Sequence, residues 1–451
     1  MRRFSSSSST LSLTHRGLEK GLADLKTAEL ALTKAILEYK EPSTSSFREL
    51  ACGVFQAEGC VSAWFNGGPF NISPVVNVGQ NYSLESQAFF VRLYHELGKI
   101  GRLSVRLAGG GGSQVNVFIV WHLTNWDLIL SVVLIYFSGV YGEKLRALKL
   151  LQDLYKLKSN LNTDENKILF VKLVYSLTSS GKARKLSLQD KLKSLSLVDL
   201  KPKLVISYPE STQAPSFLFF FGFLLGDGSI YIRIRMGKSG SPSFIPNIII
   251  YQKAGANATL VFALLSKYLY SIGVKSTVIT PNKAGQTRLI IEGVIAVGLL
   301  IPLFREYFSL GYWKSNSIKV LLDFYMYHTV GAHTYQKGLN AVLALLYKDT
   351  NKRTTTLDEY KQVVRDYFIL VDSKYKSGHQ YITPITKSRQ YAGWIVDFSD
   401  KLLWLNGQKL TKINNKSFLF TTYGSSNKAL EAAISYRDII LDSHLKEFSC
   451  F

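Results

Sequence analysis

Cysteine is scarce in this 451-residue chain: only Cys52, Cys60 and Cys450 occur, and none forms a CxxC pair. That excludes a disulfide framework and argues against structural zinc. Acidic residues are also short, with 32 Asp plus Glu against 54 Lys plus Arg, a formal net charge of +22. Such an excess attracts polyanions, so nucleic acid or an anionic membrane surface is the first class of partner to consider. Long apolar runs are missing too. Two apolar stretches, 128–137 and 217–225, fall short of the roughly twenty residues that a spanning helix needs. Both read as deeply buried core elements, and no membrane partner is expected. Apolar residues overall are plentiful, 47% against 19% charged, so the chain can bury a core. Its length implies two to four domains. The first residues, Met1-Arg2-Arg3-Phe4 and a serine run, carry no acid before Glu19. Such a start suits an organellar transit segment, mitochondrial or plastid, or a plain polar tail.

A pass along the chain finds one pattern twice. Residues 1–45 form a polar leader with an amphipathic helical stretch at 18–39. Ser46-Phe47-Arg48-Glu49 is a capping box opening a helix that Gly59 closes. Strands are expected at 60–65 and 72–80, split by Asn66-Gly67-Gly68-Pro69. A helix follows at 84–97, then strands at 103–107 and 115–120 around the glycine loop 109–112. The same order returns with a helix at 217–225 capped by Ser216, strands at 229–235 and 245–252, a helix at 258–269 with Asn257 as its N-cap, and strands at 275–279 and 287–291. The fold class expected is therefore α+β, a pseudo-dimer of two helix–strand–strand–helix–strand–strand repeats at 46–157 and 214–370. A basic linker occupies 158–213.

Two helix ends carry the chemistry. Gly53 and Ala57 stand four apart, as do Gly222 and Gly226. Small residues at that spacing share one helix face and allow two helices to approach closely. Each helix then delivers one carboxylate, Glu58 or Asp227, at its C-terminal tip. Two such carboxylates side by side are costly, because like charges raise each other's pKa and the helix dipoles oppose them. Divalent cations would relieve both effects. Hard oxygen donors select Mg²⁺, and metal-activated water attacking phosphate is the reaction that such a pair supports.

Residues 51–59 (Ala-Cys-Gly-Val-Phe-Gln-Ala-Glu-Gly) and 220–228 (Phe-Phe-Gly-Phe-Leu-Leu-Gly-Asp-Gly) resemble the two motifs of double-motif LAGLIDADG homing endonucleases. The resemblance spans roughly 46–370. It implies a pseudo-dimeric saddle of αββαββα repeats and a monomer acting on double-stranded DNA. Glu58 and Asp227, with the adjacent Gly59 and Gly228, would hold two or three Mg²⁺ ions. The earlier acidic position of the motif holds Gln56 in one copy and Leu225 in the other, and it is not a metal ligand in the family. Glu58 stands 22 residues before Gln80 and 86 before Lys144, while Asp227 stands 25 before Gln252 and 87 before Lys314. Gln80 and Gln252 match polar residues near the cleavage centre. Lys144 and Lys314 match the basic residue that polarises solvent and stabilises phosphate charge. The same family also contains maturases, so group I intron RNA is the alternative partner.

DNA reading is expected from strands. Tyr231, Arg233 and Arg235 alternate with Ile232 and Ile234, placing the polar set on one face. Arg102, Arg106, Lys275 and Arg288 lie in comparable strands or their flanks. Such a face can follow the major groove or simply be solvated. Residues 329–370 read as packing helices, with Thr356…Glu359 a further capping box. Residues 385–451 resemble an AP2-like DNA-binding module: strands at 392–398 and 417–420, Trp394 facing inward, a helix at 429–441, and Lys401, Lys409, Lys412 and Lys416 in the turns. Phe398 occupies the acidic position of a faint nonapeptide echo, so no third acidic motif is expected there. His328 and His333, five apart and off one helical face, suggest no site, and Cys52 reads as a small buried residue.

Overall fold

The computed structural model describes residues 15–40, 47–109, 115–177, 186–197, 214–236, 242–279, 281, 285–329, 331–348, 356–372, 377, 379–387, 390–398, 404–405, 408–409 and 416–449. The candidate transit segment, Ser46, most of the 109–112 loop, much of the linker, and Lys401 and Lys412 lie outside these residues.

The first repeat follows helix α1 (His15–Glu38) and comprises α2 (Phe47–Glu58), β1 (Cys60–Phe65), β2 (Ile72–Asn81), α3 (Leu84–Glu96), β3 (Arg102–Gly109) and β4 (Val115–Leu123). A broken helix follows: α4 (Trp126–Leu128), a π-turn (Ile129–Val133) and α5 (Leu134–Tyr136). Then come α6 (Gly142–Lys158), α7 (Asp164–Leu177) and α8 (Leu188–Ser194). The second repeat has α9 (Phe217–Asp227), β5 (Gly228–Met236), β6 (Pro242–Lys253), α10 (Ala256–Ser271), β7 (Thr277–Ile279) and β8 (Gln286–Glu292). Helices α11 (Val294–Gly298), α12 (Ile301–Glu306), α13 (Ser315–Thr329), α14 (Gln336–Lys348) and α15 (Leu357–Asp372) continue the chain. The C-terminal segment holds β9 (Ile382–Lys387), β10 (Gln390–Val396), β11 (Trp404–Leu405), β12 (Gln408–Lys409), β13 (Lys416–Leu419), α16 (Phe420–Tyr423) and α17 (Ser426–Ser449). The two four-stranded sheets share one order, β1-β2-β4-β3 and β5-β6-β8-β7, as two copies of one pattern should.

The chain divides into two compact units whose boundaries cut across the repeats. One holds 1–229, 249–291 and 309–314; the other holds 230–248, 292–308 and 315–451. In the first, the core lies under the inner face of the β1–β4 sheet. Val76, Val78, Ile119 and Trp121 are almost fully buried there, and Trp121 pairs across with Val78 and Leu103. Period-two alternation dictates this, since every second residue of those strands is apolar. In α9 every residue from Phe217 to Leu225 is buried, as expected. The 128–137 run differs. Ile129, Val133 and Phe137 are buried, but Ile135 is 62% exposed, so one face alone is in the core. The linker is partly folded, with Val171, Leu192 and Leu197 clustering beside Phe65 and Phe70. Among the described residues no helix is long and apolar enough to cross a membrane.

In the second unit, β13-β10-β9 form a three-stranded antiparallel sheet covered by α17. Its core, including Ile382, Val396, Phe398, Phe418 and Ala433, continues into Ala332 and Tyr335. Trp394 is half-buried and its indole donates to the Ser426 carbonyl at 3.2 Å. Lys416 is not in a turn: it opens β13, and its ammonium lies 5.1 Å from the Tyr436 ring centroid. The Thr356 capping box forms, with Glu359 N donating to Thr356 Oγ1 and Thr356 N to the Glu359 carboxylate.

His328 and His333 also depart from expectation. They sit on α13 and on the following 3₁₀ turn, and their rings stack 4.3 Å apart and 6° from parallel. Burial lowers both pKa values, and the neighbouring His328 helps bring His333 down to about 4. A base whose folded pKa is depressed stabilises the fold above its unfolded value, near 6.5, and loses that contribution as the pH falls toward 4. The melting temperature should therefore drop over that window. A His333→Phe variant should show a shallower drop, and an unchanged pH slope would exclude the pair as its source.

Candidate active site

α2 and α9 cross at their glycines because nothing larger fits. A Cβ placed on Gly53 would stand 2.7 Å from Phe223 N and 2.9 Å from Gly222 Cα; one on Gly222 would stand 2.9 Å from Val54 N. Further along, a Cβ on Gly226 would overlap Ala57 Cβ and stand 3.2 Å from Glu58 Cγ. The four small residues expected at the helix interface are thus where the helices touch, and the crossing brings both C-terminal tips together. Gly59 closes α2 with its N–H donating to Phe55 O at 2.8 Å, and Gly228 N–H donates to Leu224 O at the end of α9.

The tips carry the carboxylates. Burial, and then repulsion from Glu58, raises the Asp227 carboxyl to about 7, against the pull of Lys144 and a hydrogen bond from Gln252 Nε2. Burial also raises Glu58, and Lys144 and Lys314 oppose that rise. Both lysines are lowered by burial and held up by the acids, Lys314 by Glu58 and Asp227, and Lys144 by Cys60 and the same pair. Two acids and two bases, drawn from residues up to 256 positions apart, therefore share one electrostatic cluster. Lys144 Nζ donates to the Gly59 carbonyl. A carbonyl oxygen has two lone pairs, so that contact leaves Gly59 one acceptor site.

The halves are not equivalent. Gln252 bonds the carboxylate of its own half, whereas Gln80 Oε1 accepts from the adjacent Asn81 N at 2.9 Å. Among the described residues no group of three or more His, Cys, Asp or Glu could hold a metal. The oxygens gathered here are two carboxylates and the Gly59 carbonyl. All are hard oxygens, and burial raises the pKa of both acids, a desolvation cost of the charged carboxylates that a bound cation would offset. The residues fit Mg²⁺ better than a soft metal.

The strand residues expected to read DNA sort differently. Arg102 and Arg106 are exposed on β3, opposite His122 and Phe118 of β4. Burial and then these two arginines lower the His122 pKa, so His122 belongs to the same cationic face, which the alternation of β4 could have revealed. Lys275 is exposed but precedes β7, which starts at Thr277. Arg288 is half-buried, and its Nε is buried without a hydrogen-bond partner; it does not project freely outward. In the other unit Tyr231, Arg233 and Arg235 are exposed while Ile230 and Ile232 are buried, as alternation predicts. Arg233 pairs with Glu292.

Several contacts were not predicted. The capping-box acid Glu49 accepts from Ser216 Oγ, which also caps α9 by accepting from Phe219 N. Asn257 does not cap its own helix, whose N-cap is Gly255. Its Oδ1 accepts from Glu143 N at 2.7 Å. Gln56, at the motif's former acidic position, is buried and accepts from Tyr141 N at 2.8 Å. The Trp313 indole donates to Leu225 O at 2.8 Å.

No protein-family model and no curated protein matches this sequence significantly. Solved structures do match. The likeness to the meganuclease I-SmaMI bound to uncleavable DNA with a TTGT central four covers 70% of this chain and 100% of that one, with TM-score 0.53 and 16% identity. I-LtrWI, a LAGLIDADG homing endonuclease bound to target DNA, is matched over 68% of this chain and 99% of its own, with TM-score 0.54 and 14% identity. A structure of I-SmaMI bound to uncleaved DNA target in the presence of calcium ions is matched over 68% and 99%, with TM-score 0.52 and 16% identity. The chain has the LAGLIDADG endonuclease fold.

Proposed function

We propose that this chain is a site-specific DNA endonuclease that hydrolyses one phosphodiester bond in each strand of a double-stranded target. The observation that carries this reading is the single electrostatic cluster of Glu58, Asp227, Lys144 and Lys314 at the crossed tips of α2 and α9. Glu58 and Asp227 would hold Mg²⁺, as in the carboxylate sites of the fold family. Bound there, the metal would supply Lewis-acid neutralisation of phosphate charge and a water of lowered pKa. Gln252 orients the Asp227 carboxylate by its hydrogen bond. Lys144 and Lys314 place positive charge beside the acids, where it would offset charge developing on phosphate oxygens. Arg102, Arg106 and His122 on one face, and Tyr231, Arg233 and Arg235 on another, would bind the duplex. The exposed Arg233–Glu292 pair is worth little by itself, so Arg233 can exchange its partner for a phosphate. The three-stranded sheet with α17 would add contacts in the manner of an AP2-like module.

The test is incubation with DNA carrying the uninterrupted target site. Mg²⁺-dependent cutting that Asp227→Asn abolishes supports the reading, and none by the wild type removes it. RNA binding that survives in a Glu58→Gln, Asp227→Asn double variant, with no cutting by the wild type, would favour the maturase alternative. Binding should weaken steeply with salt. About ten phosphate contacts give a log–log slope of roughly −9 on duplex DNA, and a flat response would exclude a phosphate-dominated interface.

A further inference from the structure

We propose, resting on the endonuclease reading above, that Asn257 and Trp313 are positioning residues: Asn257 sets the first-repeat lysine in place from the second repeat, and Trp313 holds the second-repeat lysine between first-repeat aromatics and the end of α9. Lys144 is the third residue of α6. The first N–H groups of a helix need acceptors from outside it, and Tyr141, at the N-cap of α6, supplies no side-chain bond. The acceptor comes from 114 residues away, where Asn257 Oδ1 takes the Glu143 N–H at 2.7 Å. Gly142 makes room for it. A Cβ there would overlap Asn257 Oδ1 and stand 3.5 Å from Leu260 Cδ2, and the backbone has φ 51°, a region that glycine enters without penalty. After Glu143 comes Lys144, whose Nζ reaches the Gly59 carbonyl beside Glu58. A second-repeat amide therefore fixes the helix end that aims the first-repeat lysine.

The reverse holds for Lys314, which ends the 3₁₀ turn Tyr312–Lys314. Tyr312 has φ 39°. A bulky side chain rarely adopts that conformation, and it persists only where the surroundings impose it. The surroundings are first-repeat aromatics. The Tyr312 and Trp313 rings meet Phe89 edge-on at 5.3 Å and 5.4 Å, and Tyr312 lies 6.4 Å from Phe47. The Trp313 indole N–H then ties the turn to Leu225 O, two residues before Asp227. All these residues lie in one compact unit. Both lysines thus report on the seating of the two repeats against each other. The side-chain hydrogen bonds of Asn257 and Trp313 go to Glu143 N and Leu225 O and not to the acids, so each acts through the lysine that it places.

The experiment measures single-turnover cleavage with each DNA strand labelled separately, for Asn257→Ala, Asn257→Asp, Trp313→Phe, Lys144→Met and Lys314→Met. Asn257→Ala should slow cutting roughly ten- to a hundredfold, the scale of a misplaced catalytic group, with DNA affinity within about twofold. Asn257→Asp keeps the acceptor and should restore most of the rate. Asn257→Ala should add nothing once Lys144 is methionine, and Trp313→Phe nothing once Lys314 is methionine, since partners in one function are non-additive. A second readout needs no cutting. In an amine-acylation footprint read by mass spectrometry, Asn257→Ala should raise labelling of Lys144 several-fold and leave Lys314 unchanged, and Trp313→Phe should do the opposite. Equal slowing in the methionine backgrounds, or unchanged footprints, would overturn the proposal in favour of a purely structural role. If the wild type cuts no DNA, the endonuclease reading fails by itself and the footprints alone decide the positioning.

Discussion

Replacing Asp227 by asparagine is expected to stop DNA cleavage while making the metal-free protein more stable at pH 8. The first effect follows from the proposed mechanism. Losing one of two carboxylate donors removes about 4 kcal/mol of charge stabilisation in the transition state, roughly a thousandfold in rate. The basic faces that would grip DNA are untouched, so affinity should hold. The second effect follows from the cost of the site. Asp227 is raised from 3.8 to about 7 by burial and by Glu58. An acid whose folded pKa lies above its unfolded value favours the fold fully below the unfolded value and loses that favour as the pH rises through the folded one. The wild type should therefore lose stability between about pH 4 and pH 7. A shift of this size corresponds to about 4 kcal/mol at full burial; partial exposure brings it to about 2 kcal/mol. Asparagine carries no such charge, so Asp227→Asn should melt a few degrees higher than wild type at pH 8 and gain nothing at pH 4. Added Mg²⁺ should close the gap by stabilising only the wild type. A variant no more stable than wild type at pH 8 would mean that the paired acids are not electrostatically frustrated.

How much of this could be read from the residues depends on how far a signal must reach. The motif helices, the strands after them and the alternation of Tyr231, Arg233 and Arg235 are local patterns, and the structure places them as their periodicity dictates. The meeting of Glu58 and Asp227 was also legible, because Gly53, Ala57, Gly222 and Gly226 leave two helices little choice but to touch. Signals that depend on a remote partner were not legible. Asn257 precedes an apolar helical run and reads as its cap, yet its amide serves a helix more than a hundred residues earlier. Glu49 reads as the acid of a capping box, and nothing in its surroundings in the chain announces the hydrogen bond that it takes from Ser216. Gln80 and Gln252 occupy matching positions, but only Gln252 bonds its acid, because Gln80 turns to its own neighbour. The His328–His333 stack needs a turn between α13 and the next 3₁₀ segment that spacing on one helix could not suggest. Side-chain chemistry chose correctly wherever the backbone pattern fixed both partners, and failed where tertiary packing supplied one of them.

The largest loss of stability is expected from alanine at Gly222, a change that would help an ordinary helix. Alanine exceeds glycine in helix propensity by about 1 kcal/mol, and Gly222 lies inside α9. Here the added methyl would overlap the Leu50 carbonyl oxygen and stand 2.9 Å from Leu50 C and Val54 N. These are backbone atoms of α2 and cannot rotate aside, so α2 and α9 must separate. Separation opens a gap along a contact lined by Phe219, Phe223 and Val54, all buried, and interiors tolerate neither overlap nor voids. A net loss of about 3 kcal/mol or more is expected for Gly222→Ala, visible as a lower urea midpoint. Gly53→Ala should behave alike, and the two together should lose less than their sum, because one contact is broken twice. Gly226→Ala separates the structural effect from the chemical one. Its methyl would meet Ala57 Cβ, a side-chain atom, and stand 3.2 Å from Glu58 Cγ. It should cost less stability than Gly222→Ala but displace the Glu58 carboxylate, so that cutting falls further than the melting temperature suggests. Should Gly222→Ala prove as stable as wild type, the close crossing that joins the two carboxylates would not exist, and the site would lose its foundation.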